Sequence, residues 1–339
     1  MIEAHTFDAW TDVADRVRPA YGYAVVLAGC AAPLFLFLAG LSLTLTAGRR
    51  VRNGAAPWAT AWQGVRRGGF IFTLAMLFRL QSWVLSGGTQ PLSGLLKVDI
   101  LNVMAVSCAA VALLWGLGRR PWSRAAVLLG AAAAVAMSTP LVRLTPLLDG
   151  LPDALESYIR PLGGRGTFSL FPWSGFVAAG AAAGVFMEAV AGTRERVAYR
   201  WLALTGVAVA AAGYWASFQP RIFPDAYFWT TSPTFFFIRA GLLLVMLWVG
   251  RVWDHRTWPR LADGGDGPFT RAIQAFGRSS LLVYWVHVEL TYGVLAYPIK
   301  KLFTLEQMLV VYPAFVLLMY GMVLAKQRWS QSRSLAVTT

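Results

Sequence analysis

Cysteine and histidine are scarce in this chain, with two of the first and three of the second among 339 residues. Cys30 and Cys108 both lie inside apolar runs, which excludes a disulfide framework and a thiolate metal site. Without a His/Cys cluster there is no ligand set for a structural or catalytic zinc, and no metal is expected. Acidic residues are also few, sixteen against thirty Lys and Arg, and charged residues of both signs make up only 14% of the sequence. A long flexible linker, a repeat of the kind that builds inverted transporter halves, and the alternation of a membrane barrel are missing as well.

What fills the chain is apolar. Hydrophobic residues account for 57%, and a mean hydropathy of +0.54 exceeds what a soluble core of this size requires. Low-charge runs lie at 22–47, 68–86, 98–117, 123–141, 169–190, 201–218, 233–250, 279–297 and 304–325. Each approaches the ~20 residues needed to cross ~30 Å of hydrocarbon. Such Ala-, Leu- and Val-rich runs satisfy their backbone hydrogen bonds only as helices. The expected fold is therefore all-α, a polytopic transmembrane helix bundle with about nine full spans plus an N-terminal partial helix. It forms one domain over 1–339, with 1–14 as the partial helix and 326–339 as a cytoplasmic tail.

The net charge of +14 would suit a nucleic-acid binder, but its distribution argues for topology instead. Alternate connections carry nineteen Lys and Arg on one side and nine on the other, with Arg79 and Arg239 inside spans. By the positive-inside rule the richer side is cytoplasmic, and so is the C-terminus. On the outer side, the connection 142–168 contains an amphipathic stretch around Leu151–Ile159 that reads equally as a surface connector or a cap over a cavity. The stretch "FQPRIFPDAYFWTTSP", 218–233, gathers aromatics where a headgroup belt would place them.

Ionisable groups within spans cost at least ~2.5 kcal/mol each on insertion scales, so their positions carry information. Arg79, Arg239, Asp99 with Asn102, His287 and Glu289 all fall at or beyond the expected midplane. Pairing of Arg79 or Arg239 with Asp99 or Glu289 would explain them structurally as well as functionally. In "GRSSLLVYWVHVELTYG", 277–293, Ser280, Tyr284, His287 and Thr291 form one polar stripe on a helix face. A neutral imidazole there can pass protons, with the Tyr284 hydroxyl placed to orient the ring, or it can serve packing alone. His255, in the connection "VWDHRTWPR", reads as solvated.

Four segments occur in a telling order: "APLFLFLAGLSLTL" at 32–45 followed by "RR", "VDILNVMAV" at 98–106, "FPWSGFVAAGAAAG" at 171–184 and "GRSSLLVYWVH" at 277–287. The set resembles the heparan-alpha-glucosaminide N-acetyltransferase-like family of polytopic membrane acyltransferases over nearly the whole chain. Gly277, Ser280, Tyr284 and His287 match a Gly-x-x-Ser-x-x-x-Tyr-x-x-His-like pattern of the wider superfamily. Its members begin with a helix carrying Asp-x-x-Arg-Gly and ending in Met-x-x-x-His. Only "MIEAH" matches that helix, so the resemblance implies that Met1 is internal to a longer first helix; the alternative is a chain that begins outside with a short interfacial helix.

The resemblance implies transfer of an acyl group, most simply acetyl from acetyl-CoA, from cytoplasmic acyl-CoA to an amine or hydroxyl of an extracytoplasmic sugar or glycan. His5 would be the general base, with Asp8 or Glu3 holding the imidazolium, and Tyr284 and His287 completing the catalytic set. Arg79, Asp99, Asn102, Arg239 and Ser280 would bind substrate, with Arg79, Asn102, Arg239 and Tyr284 eligible as oxyanion donors. Arg49, Arg50, Arg66 and Arg67 would face the CoA phosphates, although the positive-inside rule accounts for them equally well. Residues 6–32 contain no histidine, so an acyl-histidine route would have to use His5 or His287, and direct transfer is favoured. The implied partners are the lipid bilayer, acyl-CoA and the glycan, in a bacterial cytoplasmic membrane, with a homodimer left open. The rival readings are a proton-coupled transporter or flippase, and an inactive homologue.

Overall fold

The computed structural model describes residues 1–338 apart from 90, 164, 165, 167, 192–194 and 257–266, with 254–256, 331 and 333–338 described by their backbone alone. Among the described residues the regular structure is helical: α1 Ile2–Trp10, α2 Pro19–Ala28, α3 Ala31–Arg52, α4 Pro57–Leu85, α5 Ile100–Leu117, α6 Pro121–Leu144, α7 Asp153–Ile159, α8 Leu170–Ala189, α9 Glu195–Ala216, α10 Pro233–Arg256, α11 Pro268–Arg278, α12 Ser280–Tyr292 and α13 Leu305–Thr338.

Among the described residues, seven helical stretches are long and apolar enough to cross a membrane: Pro19–Arg52, Pro57–Leu85, Ile100–Leu117, Pro121–Leu144, Leu170–Ala189, Pro233–Trp253 and Leu305–Ser330. They coincide with seven of the nine runs. The run at 201–218 forms α9, a continuous helix long enough to span but diluted by glycine and alanine and by charged residues at its start. The run at 279–297 differs more. Its helix α12 has only 13 residues, because Gly293 closes it and Pro298 sits in the 3-10 turn Val294–Ile299 that follows.

The chain forms two compact units. The larger comprises Ala32–Trp83 and Thr89–Arg251. Its centre is α8, which packs on α5 and α6 and meets α3 backbone to backbone. A Cβ at Gly184 would fall 2.6 Å from the Leu41 carbonyl oxygen, and one at Gly180 would strike the Phe37 carbonyl. Glycines four apart thus let two membrane helices touch, and the Thr44 hydroxyl uses that proximity to donate to the Ala181 carbonyl at 2.8 Å.

The smaller unit comprises Met1–Ala31, Val84–Gly88 and Val252–Thr339. Ala9 and Trp10 pack on Met308, Phe315 and Met319 of α13. The chain leaving α1 runs beside the chain entering α13, and three backbone bonds join them: Lys301 N–H to Ala9 O at 3.0 Å, Phe303 N–H to Trp10 O at 3.0 Å, and Asp12 N–H to Phe303 O at 2.8 Å. The Asp15 carboxylate then accepts from the Leu305 N–H at 2.8 Å, satisfying a donor that the start of α13 would otherwise leave open. α1 is therefore pinned at its C-terminal end, which fixes the direction of the side chains one turn back.

Candidate active site

His5 and His287, 282 positions apart, meet in the smaller unit: Nδ1 of His5 lies 2.9 Å from Nε2 of His287. The rings stack with centroids 5.0 Å apart at an interplanar angle of 14°. His287 is fully buried on α12, and its other nitrogen, Nδ1, lies 2.6 Å from the Val283 carbonyl oxygen one turn earlier. A carbonyl oxygen only accepts, so His287 carries its proton on Nδ1 and presents a lone pair at Nε2. His5 must then donate from Nδ1, which leaves the lone pair on its Nε2. That nitrogen makes no hydrogen bond among the described residues, and His5 is half-buried. The network thus assigns both tautomers and leaves one basic nitrogen free.

Other members of the set surround the pair. The Tyr284 ring meets His287 edge-on at 5.8 Å, so it braces the ring while the Val283 carbonyl sets its orientation. Thr291 donates its hydroxyl to the His287 carbonyl. Of the polar stripe, Tyr284, His287 and Thr291 are buried and Ser280 is exposed at the start of α12. Asp8 shares a helix face with His5, yet it turns elsewhere. Its carboxylate accepts from the Tyr292 hydroxyl at 2.7 Å and lies 3.9 Å from Arg16. Tyr292 in turn meets the His5 ring edge-on at 5.4 Å. His287, not Asp8 or Glu3, is the group hydrogen-bonded to His5.

A second polar cluster lies in the larger unit. Arg79 of α4 pairs with Asp99 at 3.0 Å, and both are largely buried. Asp99 caps α5 by accepting from the Leu101 N–H at 2.9 Å and the Asn102 N–H at 3.2 Å, while Asn102 Oδ1 accepts from the Asp99 N–H at 3.2 Å. That reciprocal bond fixes which way the Asn102 amide points, so its NH2 faces out and donates to the Tyr158 hydroxyl at 3.2 Å. Tyr158 sits on α7, the amphipathic stretch of the 142–168 connection, and stacks on Phe72. Burial pushes its phenol above the ordinary tyrosine range.

Arg239 holds its guanidinium 4.0 Å over the Phe235 ring rather than reaching Asp99. Arg49, Arg50, Arg66 and Arg67 are all exposed, the first two in the last turn of α3 and the other two more than two turns into α4. Arg50 donates to Gln63, and Arg67 covers Phe70 at 5.5 Å. The His255 side chain lies outside the described residues. Sequence reasoning missed Tyr292, Tyr158, Arg16 and the Val283 carbonyl. Only Tyr158 had a signal, its place in the stretch read as a surface connector or a cap.

Residues 1–213, which hold His5 and the Arg79 cluster, match the family model described as heparan-alpha-glucosaminide N-acetyltransferase, catalytic. The chain belongs to that family. Comparison with curated proteins gives no match. Membership in the heparan-alpha-glucosaminide N-acetyltransferase family implies an acyltransferase activity with acetyl-CoA as co-substrate, and the seven apolar helices make the chain an integral membrane protein. The matched stretch stops before α12. His287 therefore enters the site through its bond to His5 and the sequence pattern around it, not through the matched stretch.

Proposed function

We propose that the protein transfers an acetyl group from cytoplasmic acetyl-CoA to an amine or hydroxyl of an extracytoplasmic sugar or glycan, with His5 as the general base. The observation that carries this reading is the hydrogen bond between His5 and His287. It leaves Nε2 of His5 as a lone pair with no hydrogen bond among the described residues. The acceptor N–H or O–H gives its proton to that nitrogen as the acceptor atom attacks the thioester carbonyl carbon. The carbon–sulfur bond then breaks, and the departing thiolate of CoA takes up a proton. His287 acts as a positioning residue: its Nε2 accepts from His5 Nδ1–H and strengthens that bond as positive charge develops on the His5 ring.

Direct transfer suits this geometry, because the nitrogen able to attack carbon is the same one needed as base. The exposed arginines 49, 50, 66 and 67 supply cations suited to the phosphates of CoA. Charge asymmetry of the connections supports placing them on the cytoplasmic side.

The test uses the purified protein in proteoliposomes with acetyl-CoA labelled in the acetyl group, and amino sugars and glycans offered as acceptors. Free thiol and labelled acceptor should appear in equal amounts, and His5→Ala should abolish both while the protein remains folded. Label crossing the membrane with the thioester intact would mark a transporter and overturn the reading.

A further inference from the structure

The connection between α9 and α10 borders a partly open cavity of about 730 Å³ in the larger unit. It is lined by Met137 of α6, Val209 and Ala212 of α9, Phe237 of α10, and Ile222 and Phe228 of the connection. The hydroxyls in its lining are spent within the protein. Ser217 donates to the Tyr214 carbonyl at 2.6 Å, and Ser232 and Thr234 bond to each other at 2.5 Å. One ionisable side chain lines the space, Arg221. It is exposed and has no ion pair or hydrogen bond among the described residues, although Asp225 lies four positions away. Trp215, Tyr227 and Trp229 stand 66%, 63% and 52% exposed around this end of the helices. Such aromatic side chains settle at the level of lipid headgroups.

An apolar chamber between membrane helices, with a single unpaired guanidinium beside a ring of interfacial aromatics, has the polarity pattern of a lipid with an acidic head. We propose that it is a binding site for an anionic membrane phospholipid, one acyl chain filling the cavity and the phosphate paired with Arg221. The size is within the range of sites that enclose one ligand. Surrounding lipid is as apolar as the cavity wall, so the chain gains packing contact and little hydrophobic transfer energy on entering. Either kind of phosphate can accept from a guanidinium, so selectivity rests on net head charge: a zwitterionic head carries a cation that Arg221 repels, and an anionic head does not.

Native mass spectrometry of the full chain in mild detergent tests this, with phosphatidylglycerol or phosphatidylcholine added at equal concentration. The wild type should retain one phosphatidylglycerol in preference to phosphatidylcholine. Arg221→Ala should lower phosphatidylglycerol occupancy roughly fivefold, the value of one cation near an anionic membrane surface, and leave phosphatidylcholine unchanged. Arg221→Lys should keep most of the preference. Ala216→Trp, which places an indole in the cavity, should remove bound lipid of both kinds at an unchanged melting temperature. Should that variant fail to fold, the Arg221 pair still decides. Equal retention of the two lipids by the wild type, unchanged phosphatidylglycerol occupancy in Arg221→Ala, or displacement of the lipid by inorganic phosphate alone would each overturn the proposal. Lipid occupancy is read without any acetyl transfer, so its failure and that of the enzymatic reading are separate.

Discussion

The His5–His287 pair and the Arg79–Asp99 cluster are both buried polar sites in a lipid-embedded bundle, yet they are built on opposite principles. The first is a bond between two rings that each need the other's tautomer, ending in one open lone pair. The second is an ion pair locked to a helix start by a capping box, with its amide direction fixed. The first leaves a neutral ring nitrogen open, while the second holds opposite charges against a helix start and leaves Arg79 Nε and Asp99 Oδ2 without a hydrogen bond. Loss of chemistry without loss of fold should mark the first, and loss of fold should mark the second.

The widest separation is expected from His5→Ala and Asp99→Ala. His5→Ala should cut acetyl transfer by about 10²- to 10⁴-fold, the usual contribution of a general base, with little change in melting temperature. Asp99→Ala uncaps α5 and leaves Arg79 unpaired in a largely buried place, so it should cost about 3–5 kcal/mol of stability, read from thermal melting in detergent. The double change Arg79→Met with Asp99→Leu should recover much of that loss. A large melting shift from His5→Ala, or an inactive but fully stable Asp99→Ala, would erase the distinction.

The next effect concerns His287 alone. His287→Phe keeps the ring volume and removes the acceptor for His5 Nδ1–H, so turnover should fall by about 10²-fold or more through loss of the tautomer. His287→Asn offers a carbonyl oxygen in its place and should restore part of the rate. Equal rates for the two variants would reduce His287 to packing.

Most of the fold was legible because membrane helices announce themselves by length: seven runs of the chain became seven helices of spanning length. Of the two other runs, 279–297 shows what hydropathy cannot see, since Gly293 closes its helix without lowering the run's apolarity. Arg79, Asp99 and His287 stood out singly, because an ionisable group inside such a run calls for a reason, whereas His5 lies outside the runs and was picked out through the resemblance. The assembly of the candidate site was not legible. Two histidines 282 positions apart share no local pattern, and the rule that places Asp8 on the His5 face of α1 says nothing of the competing partners Tyr292 and Arg16. Arg79 and Asp99 were easier, since opposite charges in hydrocarbon have few alternatives to one another.

The smallest expected effect tests how far the site extends. Asp8 is 59% exposed and touches His5 only through Tyr292, whose hydroxyl it accepts at 2.7 Å and whose ring edge meets the imidazole. Tyr292→Phe keeps the ring and removes the hydroxyl, so His5 keeps both its brace and its bond to His287. The hydrogen bond lost is solvent-exposed on the carboxylate side and should be worth less than about 1 kcal/mol, a few-fold in rate at most. A loss comparable to that of His287→Phe would mean that the Asp8 carboxylate acts on the imidazolium through the phenol. The proton-accepting unit would then be a chain of four side chains, Asp8, Tyr292, His5 and His287, rather than a pair of histidines.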